Sequence, residues 1–160
     1  MDPIQYHPIG IIHTPHKTTE GTPIQPTGAK GVEGSIEVLP EYTAGLADLA
    51  GFSHIFILYH FHLSKKFSLK VKPFLDDQKR GLFATRAPSR PNPIGLSVVR
   101  LIGITNGNLQ IQDVDVVDGT PLLDIKPYVP KFDVHKVDRI GWIGNKTGGI
   151  GQVVDDGRFS

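Results

Sequence analysis

Cysteine is absent from the 160 residues, which removes disulfide frameworks, thiolate metal sites and cysteine nucleophiles together. Its absence suits an intracellular, cytoplasmic protein. Long apolar runs are missing too. The longest, around Ile55 to Leu63, is far too short to span a bilayer and carries His60 and His62, so no membrane partner is expected. The opening residues, MDPIQYHPIG, hold no apolar stretch of the kind a signal peptide needs. Helical periodicity is equally scarce. Strands do not alternate with helices, and no Gly-rich loop joins a strand to a helix, which argues against a Rossmann-type cofactor domain. Internal repeats and low-complexity tracts are absent.

What the chain does have is punctuation. Eighteen glycines and thirteen prolines separate short runs rich in Val, Ile and Phe. Candidate strands are Tyr6–His13, Gly34–Val38, His54–His62, Gly81–Thr85, Ile94–Ile104, Asn108–Asp113 and Leu122–Ile125. Thr105-Asn106-Gly107-Asn108 predicts a hairpin, because Asn-Gly tolerates positive φ. Only Pro40 to Leu49 looks helical, with Pro in the first turn, Glu41 near the N-terminus and Leu46 and Leu49 three apart. The expected class is mainly β: a single-domain small β-barrel with one or two short helices, spanning 1–149, followed by a loosely held tail, 150–160.

The net charge is only +1, but it is unevenly spread. Residues 65–100 hold nine Lys or Arg against two acids, Asp76 and Asp77. Such asymmetry can hold a polyanion near one face without making the whole protein adhesive. Within it lies GLFATRAPSRPNPIGL, residues 81–96, where Arg86, Arg90 and three prolines fall within eight residues. Proline fixes φ and removes a donor, so this is a stiff loop that sets two guanidiniums and Asn92 at defined positions. The plainer alternative is an edge turn whose arginines cap carbonyls.

DVDVVDGTPLLDIKPYVP, residues 113–130, is a second constellation. Asp113 and Asp115 alternate with Val114 and Val116 as in a half-exposed strand. Asp118-Gly119-Thr120-Pro121 then makes a tight turn offering N–H groups and a carboxylate to a small ligand, or simply an Asx-type connection. Period two would put Asp124, Lys126 and Tyr128 on one face, either a reactive wall or an exposed salt-bridged ladder. His54, His60 and His62 share parity in the aromatic run. From His54 to His60 a strand covers about 20 Å, too far for one metal, so no metal is expected.

These blocks together match something specific. GLFATRAPSRPNPIGLS, with FSHIFILYHFH upstream and DVVDGTPLLDIKPYVP downstream, resembles the TsaA-like family of TrmO-type tRNA methyltransferases over about residues 4 to 145. The resemblance implies a β-barrel homodimer that uses S-adenosyl-L-methionine and methylates N6 of threonylcarbamoyladenosine, beside the anticodon of threonine-type tRNA. It implies cofactor contacts from Pro23, Ile24 and Gln25, from His62 and Leu63, from Arg86 and Leu96, and from Asp118, Gly119, Thr120 and Pro121. Many members carry an arginine where this chain has Ile24, and some continue into a C-terminal domain thought to grip tRNA.

Methyl transfer from a sulfonium depends on holding nucleophile and methyl in line, a task suited to a stiff loop and a tight turn. Carbamoylation acidifies the N6–H, so a modest general base suffices, or none at all; Tyr128 and Asp124 are the expected candidates, with Asp118 and then His62 behind them. Arg90, Asn92, Lys126, Lys65 and Lys66 are the expected phosphate and tRNA contacts. A non-catalytic β-barrel that binds RNA or a nucleotide is the competing reading, and a histidine-based metal hydrolase a third.

Overall fold

A computed structural model of the chain describes residues 1–24, 26–144, 154–156 and 159. Six antiparallel strands close into a barrel: β1 (Gly10–His13), β2 (Glu33–Val38), β3 (His54–His60), β6 (Ile94–Thr105), β7 (Asn108–Gln112) and β8 (Thr120–Pro127). Their order around the barrel is β1-β2-β7-β6-β3-β8, and β8 pairs with β1 to complete it. Closure leaves no long unpaired edge. Two short strands, β4 (Lys70–Val71) and β5 (Arg80–Gly81), form a separate ribbon in the basic segment. The mainly β barrel expected from the sequence is what the chain forms.

Alternation dictates the core. On β3, Ile55, Ile57 and Tyr59 are buried, and they meet Val99, Leu101, Leu109, Ile111, Leu122, Ile12 and Ile36 from the other strands. His54, Phe56, Leu58 and His60 take the opposite face. The hairpin between β6 and β7 turns at Asn106 (φ 49°) and Gly107 (φ 79°), both left-handed as a two-residue Asn-Gly turn requires.

Several expected boundaries shift, each for a local reason. The first strand begins at Gly10 rather than Tyr6; residues 1–8 are exposed, and Pro8 has no N–H for a ladder. His62 lies outside β3, because its N–H folds back onto the His60 carbonyl at 2.8 Å. Parity beyond His60 therefore fails. Gly81–Thr85 is not a strand: Leu82–Ala84 is a 3-10 turn, closed by the Thr85 N–H on the Leu82 carbonyl. The stretch 113–118 is not a strand either. Asp113 adopts φ 67° and ends the β7 ladder, its carboxylate accepting the Gly31 N–H at 2.7 Å.

The helix expected over Pro40–Leu49 is two 3-10 turns, Pro40–Leu46 and Leu49–Gly51. Thr43 and Gly45 are poor helix formers, and Asp48 sits at φ 65° between the turns. Leu46 and Leu49 still pack on the barrel core. Among the described residues the one α-helix, a single turn, is Pro130–Asp133.

Residues 145–153 and 157–158 lie outside the described residues, as does much of the expected tail. Of that tail, Val154 bridges Pro23, and Asp155 exchanges backbone hydrogen bonds with Gly21 and Thr22 at 2.7 and 2.8 Å. Phe159 packs edge-on against Phe74 and joins a small second cluster of Val71, Leu82 and Ala87.

Candidate active site

A cavity of about 790 Å³ opens where one end of the barrel meets the proline-rich loop. This is within the size range of small-molecule sites. Its walls come from segments far apart in sequence: the early loop (Pro23, Ile24), the end of the aromatic strand (Tyr59 and Phe61 to Ser64), the arginine block (Phe83 to Pro88, Arg90), the start of β6 (Ile94 to Leu96), and Asp115 to Val117 with Thr120. Trp142, Asp155 and Phe159 close it from the C-terminal side.

The register of β3 against β6 builds the floor. Tyr59 pairs with Gly95, and a Cβ on that glycine would sit inside the Tyr59 ring. Glycine is therefore required there, and Tyr59 lies flat across β6 with its hydroxyl 3.1 Å from Ser97 Oγ. Ser97 in turn donates to Asp115 Oδ1 at 2.7 Å. Burial, and next the charge of Asp115, push the Tyr59 phenol up, so it stays protonated. Burial likewise raises Asp115 to about 6, against the opposing pull of the Ser97 hydroxyl and of Arg86.

Thr120 Oγ1 donates to the Val117 carbonyl at 2.7 Å and lies 3.3 Å from His62 Nδ1. Burial, then the neighbouring His60, lower the His62 pKa, which keeps its imidazole neutral at neutral pH. On the loop side, Arg90 Nη1 donates to the carbonyls of Thr85 and Ala87 at 3.1 and 3.3 Å, and its guanidinium lies 5.7 Å from the Phe83 ring centre. The carbonyl-capping alternative thus describes Arg90. Trp142 Nε1 donates to the Ala84 carbonyl at 2.8 Å, with Arg80 stacked 5.6 Å from the ring.

The cavity thereby gathers Pro23, Ile24, His62, Leu63, Arg86, Leu96, Thr120 and Arg90. Gln25 lies outside the described residues. Gly119 and Pro121 flank Thr120 without lining the cavity, and Asp118 turns the other way. Its carboxylate accepts the Thr14 N–H at 3.0 Å and pairs with Lys17 at 2.7 Å. The Lys17 ammonium first, then the Thr14 N–H, hold it below the usual carboxylate range. Asp118 therefore fastens the 13–17 loop.

The expected bases are placed elsewhere. Asp124 binds Lys126 at 2.7 Å and its oxygen accepts the Ile125 N–H, which is the salt-bridged ladder. Tyr128 meets Phe56 and His54 edge-on at 5.4 and 6.4 Å. Along β8, Asp124 is about 13 Å from Thr120, at about 3.3 Å per residue, and Tyr128 lies beyond the end of that strand. Lys65, Lys66 and Asn92 are exposed beyond the cavity lining, and Lys126 is on the Asp124 side.

Asp115 and Tyr59 are the site residues that sequence reasoning passed over. Asp115 reads as part of an alternating, half-exposed strand, and Tyr59 carries no role in that reading. The available signal was the Asp between two valines directly before DGTP. Among the described residues, no three His, Asp or Glu come together as a metal site.

Residues 11–134 match the family described as tRNA-methyltransferase O N-terminal domain. A probable S-adenosyl-L-methionine-binding protein of Pyrococcus abyssi is 54% identical over 156 residues, which cover 98% of this chain and 85% of that one. The human tRNA (adenine(37)-N6)-methyltransferase is 36% identical over 135 residues, 79% of this chain and 30% of its own length. Among solved structures, that of TrmO from Pseudomonas aeruginosa superposes with a TM-score of 0.74 at 38% identity, over 88% of this chain and 63% of that one. The chain thus spans less than two thirds of that solved protein and about a third of the human one. With its barrel and its motif-lined cavity matched across more than three quarters of its length, the chain belongs to the tRNA-methyltransferase O N-terminal domain family.

Proposed function

We propose that this chain transfers a methyl group from S-adenosyl-L-methionine to N6 of threonylcarbamoyladenosine next to the anticodon of a threonine-type tRNA. One observation carries the reading: the cavity unites four of the segments that the family resemblance marks for the cofactor, although they span about a hundred residues of sequence. The donor set fits such a ligand. Apolar side chains of Ile24, Phe61, Leu63 and Leu96 suit an adenine ring, whereas Arg86 suits a carboxylate. Bound there, S-adenosyl-L-methionine supplies an electrophilic methyl on a sulfonium.

The protein's own contribution is position and charge. The Tyr59 ring, seated on Gly95, gives the cavity a rigid floor. The proline-rich loop is tied by Arg90 to its own carbonyls, so Arg86 projects from a stiff frame. Lys65, Lys66 and Lys70 stand exposed beside the same loop and supply phosphate contacts for the tRNA. The exposed side chains of Phe132, Val134 and Val137 offer an apolar face for pairing two copies.

The decisive experiment is transfer of a radiolabelled methyl from S-adenosyl-L-methionine to two tRNA pools, one carrying threonylcarbamoyladenosine and one lacking it. Label in the modified pool alone is expected. Label in neither pool overturns the reading. Equal label in both would leave a tRNA methyltransferase that does not read the threonylcarbamoyl group.

A further inference from the structure

We propose that Asp115 takes the proton that the target nitrogen sheds as it is methylated, and that Ser97 and Tyr59 act as positioning residues that hold the Asp115 carboxylate. The assignment rests on the methyltransferase reading above and names the residue that the expected candidates, Asp124 and Tyr128, do not supply.

Geometry comes first. Asp115 is on the cavity wall, and its Oδ1 is held by Ser97 Oγ at 2.7 Å. Ser97 is itself buried and 3.1 Å from the Tyr59 hydroxyl, whose ring is locked by the closeness of Gly95. Two side chains, from β3 and β6, therefore fix one carboxylate of the 113–118 stretch at the cavity. The buried carboxylate of Asp76 sits against a full counter-charge, Arg80 at 2.6 Å. Asp115 is instead held by a neutral hydroxyl, with Arg86 of the same cavity acting on it through its charge.

The chemistry requires such a group. The nitrogen forms its bond to carbon as the S–C bond breaks; sulfur keeps that pair and leaves as a neutral thioether. The N6–H proton passes to the carboxylate, so the positive charge lost at sulfur neutralises the negative charge of Asp115, and water later removes the proton. The other titratable or charged groups on these walls are Tyr59, His62, Arg86, Arg90 and Asp155. Tyr59 stays protonated and the two arginines stay charged, which makes them unable to accept. Burial brings Asp115 to about 6, a value at which it is ionised at neutral pH yet basic enough to take a proton from an acidified amide. His62 and Asp155 are the rivals on these walls that can also accept a proton.

The test compares wild type with Asp115→Asn, Asp115→Glu and Ser97→Ala. Calorimetric binding of S-adenosyl-L-methionine, pH profiles of kcat on threonylcarbamoyladenosine-bearing tRNA, and a carboxyl NMR titration of the ligand-free protein are measured. Asp115→Asn is expected to bind the cofactor within about threefold of wild type while kcat falls about a hundredfold or more, with partial recovery in Asp115→Glu. Ser97→Ala is expected to move both the acid limb of kcat and the NMR midpoint upward, because it removes a hydrogen bond to the charged form. A kcat for Asp115→Asn within threefold of wild type overturns the assignment alone. So does an unchanged acid limb in that variant, which would point to His62 or Asp155, or a loss of cofactor binding with kcat preserved at saturation. If wild type binds the cofactor but labels neither tRNA pool, the methyltransferase reading falls first and this role falls with it.

Discussion

Asp115→Asn is expected to gain stability over wild type as pH rises from 3.5 to 8. In the folded chain burial raises this carboxyl from 3.8 to about 6, so the ionised form is disfavoured relative to the unfolded chain. The sign follows from proton counts. Between these two values the folded state binds more protons than the unfolded state, so wild-type stability falls as pH rises through the window and levels off above about 6. Below 3.8 both states are protonated and no cost remains. One pH unit of displacement corresponds to about 1.4 kcal/mol, so the full cost is on the order of 3 kcal/mol. Asparagine resembles the protonated acid and still accepts from Ser97, but its amide brings a pH-independent penalty if it finds no acceptor. Taking the difference between pH 8 and pH 3.5 removes that penalty. Urea denaturation of both proteins at pH 3.5, 5, 6.5 and 8 measures it directly. A relative gain of about 3 kcal/mol at high pH is expected, or roughly 6 to 12 °C in Tm for a domain of this size. A mutant-to-wild-type difference that is flat across pH, or that grows toward acid, would refute the argument that Asp115 is buried against its charge.

Other perturbations follow from the same geometry. Gly95→Ala places a methyl against the Tyr59 ring and is expected to cost about 1 to 3 kcal/mol while weakening cofactor binding, read by melting and calorimetry; unchanged values would mean the ring moves freely. Asp118→Asn is expected to cost about 1 kcal/mol at pH 7 through the looser 13–17 loop. Because that carboxyl is held low, its contribution is present above the unfolded carboxyl range and disappears as pH falls through the folded value, so equal melting of the two proteins near pH 2 is the check. The double substitution Lys65→Ala with Lys66→Ala is expected to weaken binding of all tRNAs alike and to lower the slope of log affinity against log salt by about two, with an unchanged slope refuting a phosphate role.

A loss of the bend at Asp113 would have hidden the site altogether. Had 113–118 continued as a strand, Asp115 would have pointed away from the valines that flank it, to solvent. Val114 and Val116 enter the barrel core, and the left-handed Asp113 lets the stretch leave the β7 ladder before the Asp118 turn. Asp115 is then carried to Ser97, eighteen residues upstream.

What the chain determined by its order of residues is substantial. Period-two burial on the aromatic strand, the Asn-Gly hairpin, the proline-stiffened arginine loop and the three motif blocks are local patterns, and local patterns survive in a linear text. They sufficed for a barrel and for the segments that meet at the cavity. Tertiary structure alone decided which side chain of each segment does what. It turned Asp118 to Lys17 and the loop, spent Arg90 on carbonyls, left Asp124 down β8 and Tyr128 past its end, and brought Tyr59, Ser97 and Asp115 together. The physical reason is that a hydrogen-bonded chain of side chains depends on the register between strands, and register is set by closure of the whole barrel rather than by any stretch within it.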